Sequence, residues 1–316
     1  MTWLGLIAAA AVYSHRSPPI SHWIMTGVLP AFLFESIFFL GAGFESTRAV
    51  FSRVSPPWIQ SLALWVSSLV PYLLVSLTAA TFESHSFVVL CVVSAVVSFW
   101  WVIVPRRLAL DIAFLAIAAA VIVVRLFSWL YVSPLPHFEL SILGHLMWIR
   151  LTLMVLLVQR GFEVRGVGFW PRLREWREGV LQFLIAILPL SAIAIALRFA
   201  TFSPRRFEVW EWTGLAAGYF LGFLWVVAFS EDIFRSVITQ LFLDRGQAAI
   251  TAVAGSAVLV GCAHLWYKDF PNWRFAAVAT VAHLFYTIAY IRARSVRASM
   301  VTHALTVTAW RMLFRA

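Results

Sequence analysis

Charge and cysteine are what this chain of 316 residues has least of. Only 12% of its residues are Asp, Glu, Lys or Arg, and Lys268 is the single lysine. An ordinary soluble domain carries about 25%, so a solvated globular surface is excluded. The two cysteines, Cys91 and Cys262, sit far apart inside apolar runs, which leaves neither a disulfide framework nor a zinc-type spacing. No internal repeat or low-complexity tract is visible, and the longest polar interval is roughly 160–178, too short for an appended soluble domain.

Hydrophobic residues make up 62% of the chain and the mean hydropathy is +0.88. This is the composition of a polytopic membrane protein, and with about twenty residues per crossing it predicts an all-helical bundle. Apolar runs fall near 23–43, 57–80, 86–104, 108–132, 140–158, 179–198, 213–243, 247–266, 274–292 and 297–313. A shorter run at 2–14 has no basic residue before it, which favours a short first span over a cleaved signal and brings the expectation to ten or eleven helices. The net charge of +10 would suggest nucleic acid in a soluble protein. Here the basic residues fall in short loops, so nucleic-acid binding is not expected and membrane lipid is the partner. Fourteen arginines gather at 44–56, 105–107, 159–178, 231–246 and 292–297, against eight basic residues on the other side. The positive-inside rule assigns the arginine-rich face and the N-terminus to the cytoplasm.

A division is expected near residue 160. In 1–160, helices of unassigned role, ionisable residues are scattered singly within spans: Glu35, Asp111, Arg125, His145 and Arg150. They read as buried pairs or helix ends near headgroups. Residues 161–178 mix arginines with Phe169, Trp170 and Trp176, the composition of a basic amphipathic helix lying in the headgroup layer. In the third segment, 179–316, Gly214, Gly218 and Gly222 recur in four-residue steps, a stripe that would let a neighbouring helix approach closely.

The stripe leads into Ser230-Glu231-Asp232-Ile233-Phe234-Arg235, three ionisable groups where a membrane helix tolerates none without a reason. On a helix Glu231 and Arg235 lie about 40° apart and can pair, whereas position 230 points about 140° away from the arginine. Two later apolar segments each carry a histidine, His264 and His303, and these residues are expected to meet the acidic cluster in the cytoplasmic half of the membrane. His283, alone on its segment, reads as a helix-to-helix hydrogen-bonding residue.

Together with Val260-Gly261-Cys262-Ala263-His264 and His303-Ala304-Leu305-Thr306-Val307, this stretch resembles the motifs of the CPBP intramembrane proteases. That group comprises type II CAAX prenyl endopeptidases and bacteriocin-processing relatives, with the pattern EExxxR, FxxxH, HxxxN. The resemblance covers 165–316. It implies a glutamate and two histidines that activate a water, directly or through a metal, for attack on a peptide carbonyl, with the Asn helping to hold the oxyanion. Glu231 matches the second glutamate, Arg235 the arginine, and His264 and His303 the two histidines. Ser230 stands where the first glutamate belongs, Val260 replaces the Phe, and Val307 replaces the Asn, with Thr306 and Thr308 beside it. A serine cannot serve as a carboxylate base, so Glu231 or Asp232 must take the role if the chemistry is kept, and Thr306 or Thr308 must supply the donor. Two histidines without a third ligand leave both a divalent metal such as zinc (candidates His264 and His303) and a metal-free water open. The implied activity is an endopeptidase acting on a membrane-anchored or prenylated-type peptide substrate. The alternative is a catalytically degenerate membrane scaffold. A small-solute transporter fits the span count but not the lack of paired broken helices.

Overall fold

The computed structural model describes residues 22–133, 139–204, 208–268 and 270–315. The run at 2–14 lies outside them. The chain forms two compact units, Met1–Gly161 and Phe162–Ala316. Both are helical, and among the described residues eight helices are long and apolar enough to cross a bilayer. The chain is an all-α polytopic membrane protein.

The first unit comprises α1 (His22–Gly43), α2 (Glu45–Ser52), α3 (Pro57–Thr78), α4 (Ser84–Ile103), α5 (Leu108–Val123), α6 (Leu126–Leu130) and α7 (Ser141–Met154), the last running on as a π turn to Arg160. The expected single span at 108–132 is broken, because Arg125 adopts a left-handed backbone (φ 53°) between α5 and α6. The scattered ionisable groups find one another. Arg150 makes a two-pronged bridge to Glu35, at 2.8 and 3.1 Å, and donates to Ser67 Oγ at 3.0 Å, with Arg150 and Glu35 only 2% and 0% exposed. Arg160 grips Asp111 in the same fashion at 2.6 and 2.9 Å. His145 turns instead to the Ser141 carbonyl at 2.8 Å.

In the second unit the chain between Gly161 and Leu173 is irregular, where a headgroup helix was expected. Positive φ at Gly161 (78°) and Gly166 (70°), together with Pro171, interrupts any helix until α8 (Leu173–Ala196) begins. The aromatics of this strap turn inward: Phe169 is buried and stacks on Phe229 at 4.5 Å, and only Trp170 is largely exposed. Glu175 caps α8 through the Arg172 N–H (2.6 Å) and also accepts from Ser295 Oγ (2.6 Å) and Arg297 (2.8 Å). One carboxylate thus ties the start of α8 to the turn between α12 (Trp273–Ala293) and α13 (Val296–Leu313).

Between these, α9 (Val209–Gly222), a π turn (Phe223–Val227) and α10 (Ala228–Leu243) form one continuous helical run, followed by α11 (Ala249–Ala263) and a single 3-10 turn at His264–Trp266. Two short strands, β1 (Thr201–Phe202) and β2 (Phe314–Arg315), pair antiparallel. Ala186, Leu190 and Ala194 of α8 pack against Val278, Ala282 and Tyr286 of α12, each set repeating every fourth residue. The close helix approaches are not at the glycine stripe. Nothing lies within 4 Å of a Cβ added at Gly214, Gly218 or Gly222, whereas one at Gly179 would meet the Ala298 carbonyl at 2.7 Å, and one at Gly261 would strike Thr280. Small residues therefore set the α8–α13 and α11–α12 contacts, and the stripe on α9 faces outward.

Removing one partner of a buried ion pair leaves an uncompensated charge, so Glu35→Ala should destabilise the first unit by about 3–5 kcal/mol. The double change Glu35→Leu with Arg150→Leu should regain most of it. Reversible unfolding in bicelles measures both, and a single change costing no more than the double would dissolve the pair as a structural determinant.

Candidate active site

Four elements converge in the second unit. From α10 come Ser230, Glu231, Asp232 and Arg235, from the end of α11 His264, from α12 His283 and Tyr286, and from α13 Ser299, His303 and Thr306. Counted from the turns at 244–248 and 294–295, the rise per residue puts Glu231 about 18 Å, His264 about 22 Å, His283 about 15 Å and His303 about 10 Å along their helices. These heights allow side chains to meet near the middle of the bundle.

The anchor is Asp232, not Glu231. Arg235 Nη1 donates to Asp232 Oδ1 at 2.5 Å, both groups 0% exposed, and its Nη2 donates to Ser299 Oγ. Ser299 in turn donates to Asp232 Oδ2 at 3.0 Å, and His303 Nδ1 donates to Oδ1 at 3.2 Å. Ser299 and His303 are four residues apart, hence on one face of α13, and that face is aimed at α10. The expected Glu231–Arg235 pair is therefore replaced by Asp232–Arg235. Both spacings suit a helix, and the partners on α13 decide between them.

Freed from the arginine, Glu231 is 37% exposed and directs its carboxylate at the histidines, with Oε2 3.9 Å from His303 Nε2. Its ligand atom and those of His264 and His283 all lie within 4.8 Å of one another. Ser230 bends back to donate to the Val227 carbonyl at 2.9 Å. Thr306 is buried and its hydroxyl already donates to the Thr302 carbonyl at 2.8 Å, while Thr308 Oγ1 is buried with no hydrogen-bond partner among the described residues. Thr306 is thus already engaged, and Thr308, though unpaired, does not line the cavity beside the histidines.

The ring nitrogens can be assigned from their fixed partners. His264 Nδ1 faces the Val260 carbonyl at 2.9 Å and His303 Nδ1 faces Asp232, so both rings carry a proton on Nδ1 and offer a lone pair on Nε2. His283, whose sequence context predicts a helix-to-helix hydrogen-bonding residue, belongs to the cluster. It lies beside the other two, 5.5 Å from His264 and 5.9 Å from His303 between ring centroids. The signal that could have exposed it is the recurrence of one histidine on each of three successive helices, at 264, 283 and 303.

A cavity of about 300 Å³ adjoins the cluster, and His264, His283, His303, Thr306 and Val307 line it. Its exposed lining residues include Tyr267, Lys268, Arg311 and Arg315, at the ends of the helices remote from the 244–248 and 294–295 turns.

Glu231, His264 and His283 form a candidate donor set for a divalent ion, a different grouping from His264 with His303. The set does not fit a cation well. Arg235 Nη1 stands 3.2 Å from His283 Nδ1, so that lone pair is occupied, a positive charge adjoins the ligand, and the neutral ring keeps its proton on Nε2. The arrangement suits a water held by a carboxylate and imidazole lone pairs.

Residues 212–309 match the family model described as type II CAAX prenyl endopeptidase Rce1-like. No curated protein matches the chain, and no solved structure does.

Because Asp232 holds the arginine, Asp232→Ala should cost about 3–5 kcal/mol of stability, whereas Glu231→Gln should cost less than about 1 kcal/mol. Equal losses in a bicelle unfolding experiment would restore Glu231 as the structural partner.

Proposed function

We propose, for a membrane core whose residues 212–309 match the family model of type II CAAX prenyl endopeptidases, an intramembrane endopeptidase that hydrolyses a peptide bond of a membrane-anchored or prenylated-type substrate. The observation that carries this reading is the Glu231 carboxylate, released from Arg235 and lying 3.9 Å from His303 Nε2, in one group with His264. Carboxylate-to-imidazole gaps of this size accept one bridging water with bonds near 3 Å.

In this mechanism a water sits between Glu231 and the Nε2 lone pair of His264. Glu231 takes a proton as the water oxygen attacks the peptide carbonyl carbon, and a tetrahedral oxyanion forms. As the C–N bond breaks, that proton passes to the departing amine, leaving a new carboxylate on one fragment. Asp232 holds His303 in the tautomer that presents Nε2 to the reacting groups, the role an orienting carboxylate plays beside a catalytic imidazole. The substrate's apolar stretch lies along a cavity wall that includes Ile187, Leu190, Val278 and Ala282.

A second reading, a non-catalytic membrane scaffold, is favoured by one feature. Ser230, at the position of the family's first glutamate, is tied to the Val227 carbonyl and offers no base.

Purified protein in nanodiscs, given a library of hydrophobic and lipidated peptides in H2(18)O, should release fragments carrying one heavy oxygen in the new carboxylate. Glu231→Gln and His264→Ala should each lower kcat by about 10²–10⁴. Cleavage that survives both changes, or none in the wild type, rejects the protease reading. A Ser230→Glu variant that cleaves where the wild type does not identifies the wild type as the scaffold.

A further inference from the structure

We infer that His283 supplies the oxyanion donor, through an Nε2 proton that Arg235 keeps in place; this rests on the hydrolytic reading above. The inference starts from hydrogen-bond direction. A guanidinium has five donors and no acceptor, so its 3.2 Å contact with His283 Nδ1 is favourable only when that nitrogen holds a lone pair. A second proton on the ring would set two cations side by side. The neutral ring therefore carries its proton on Nε2.

The three histidines thus divide by their neighbours. His264 and His303 each face an acceptor at Nδ1 and present Nε2 as a lone pair, whereas His283 faces a donor and presents an N–H. Ester and amide hydrolysis needs both kinds: acceptors for the attacking water and a donor for the carbonyl oxygen that becomes negative. His283 is 2% exposed, lies on the cavity wall, and belongs to the group whose ligand atoms are within 4.8 Å of Glu231 and His264. A carbonyl oxygen placed there meets the donor while its carbon faces the water.

Other candidates for the donor fall away. Val307 has none, Thr306 donates to the Thr302 carbonyl, and Thr308 is not part of the cavity wall. Arg235 does not touch the reacting atoms. Held by Asp232 and Ser299, and with its guanidinium 5.6 Å from the Tyr286 ring centre, it is a positioning residue that selects the His283 tautomer.

Protein labelled with 15N-histidine in nanodiscs should give a His283 spectrum with the proton on Nε2 at neutral pH. A proton on Nδ1, or on both nitrogens, overturns the assignment. Binding then tests the role, with a hydrophobic tripeptide phosphinate as the tetrahedral, anionic probe and the corresponding amide peptide as the ground-state probe. His283→Ala should weaken the phosphinate about 10²–10³-fold and the amide less than about threefold, because only the former mimics the charged intermediate. His283→Gln, which keeps an N–H donor and much of the volume, should recover part of the difference. Equal weakening of both probes, or a phosphinate loss in Tyr286→Phe with none in His283→Ala, overturns the donor role. A wild type that binds the phosphinate no better than the amide sinks the hydrolytic reading and the donor role with it. A wild-type preference abolished by Glu231→Gln but kept in His283→Ala sinks the donor role alone.

Discussion

The buried contact between Asp232 and Arg235 is the constraint on which the second unit depends. Two full charges without solvent are tolerable only if every remaining lone pair and proton is satisfied. Ser299 and His303 meet most of that demand from α13 and His283 from α12, and Arg235 Nε alone of the guanidinium nitrogens has no partner among the described residues. Three helices are fixed in register by the solvation of one ion pair. In a bilayer, where apolar burial gives helices little reason to associate, such polar contacts and close packing at small residues provide the specificity. The polar cluster is thus at once the structural centre of the unit and the frame that orients its imidazoles.

That arrangement changes the meaning of the departures from the family pattern. Ser230 leaves the first-glutamate position without a carboxylate, yet Glu231 is not confined to a structural bridge, because Asp232 has taken the arginine. An acid shifted by one residue along a helix moves about 100° round its axis. Two adjacent acids can therefore exchange duties, one turned to the arginine and the other to the histidines. The loss at Val307 has its counterpart in His283, a residue outside the family's three motifs.

Much of this was legible in the sequence. Of the ten apolar runs read from hydropathy, eight correspond among the described residues to helices long and apolar enough to cross, while 108–132 is broken at Arg125 and 297–313 is not one of the eight; the order of acid, arginine and two histidines marked the helices that would meet. What was not legible depended on neighbours distant in the chain. Spacings of three and four residues both place an acid beside Arg235, so only Ser299 and His303 could choose Asp232. His283 carried no motif, and its place in the cluster follows from how α12 lies between α11 and α13. The glycine stripe on α9 had the correct spacing for close packing and the wrong surroundings, while Gly179 and Gly261, isolated in the sequence, make the approaches. Arg125 and the strap from Gly161 to Arg172 show the limit of composition, since left-handed residues and a proline override an amphipathic pattern.

The cations that line the cavity bear on what would leave it. Hydrolysis of a peptide creates a carboxylate where none existed, deep among apolar side chains that solvate it poorly. Lys268, Arg311 and Arg315, all exposed, line the cavity beside the histidines. A newly made anion would therefore be drawn toward those exposed cations, while the uncharged peptide that came before it feels little of that pull. The cations would act on the product more than on the substrate, and turnover would gain a direction from charge that cleavage itself creates.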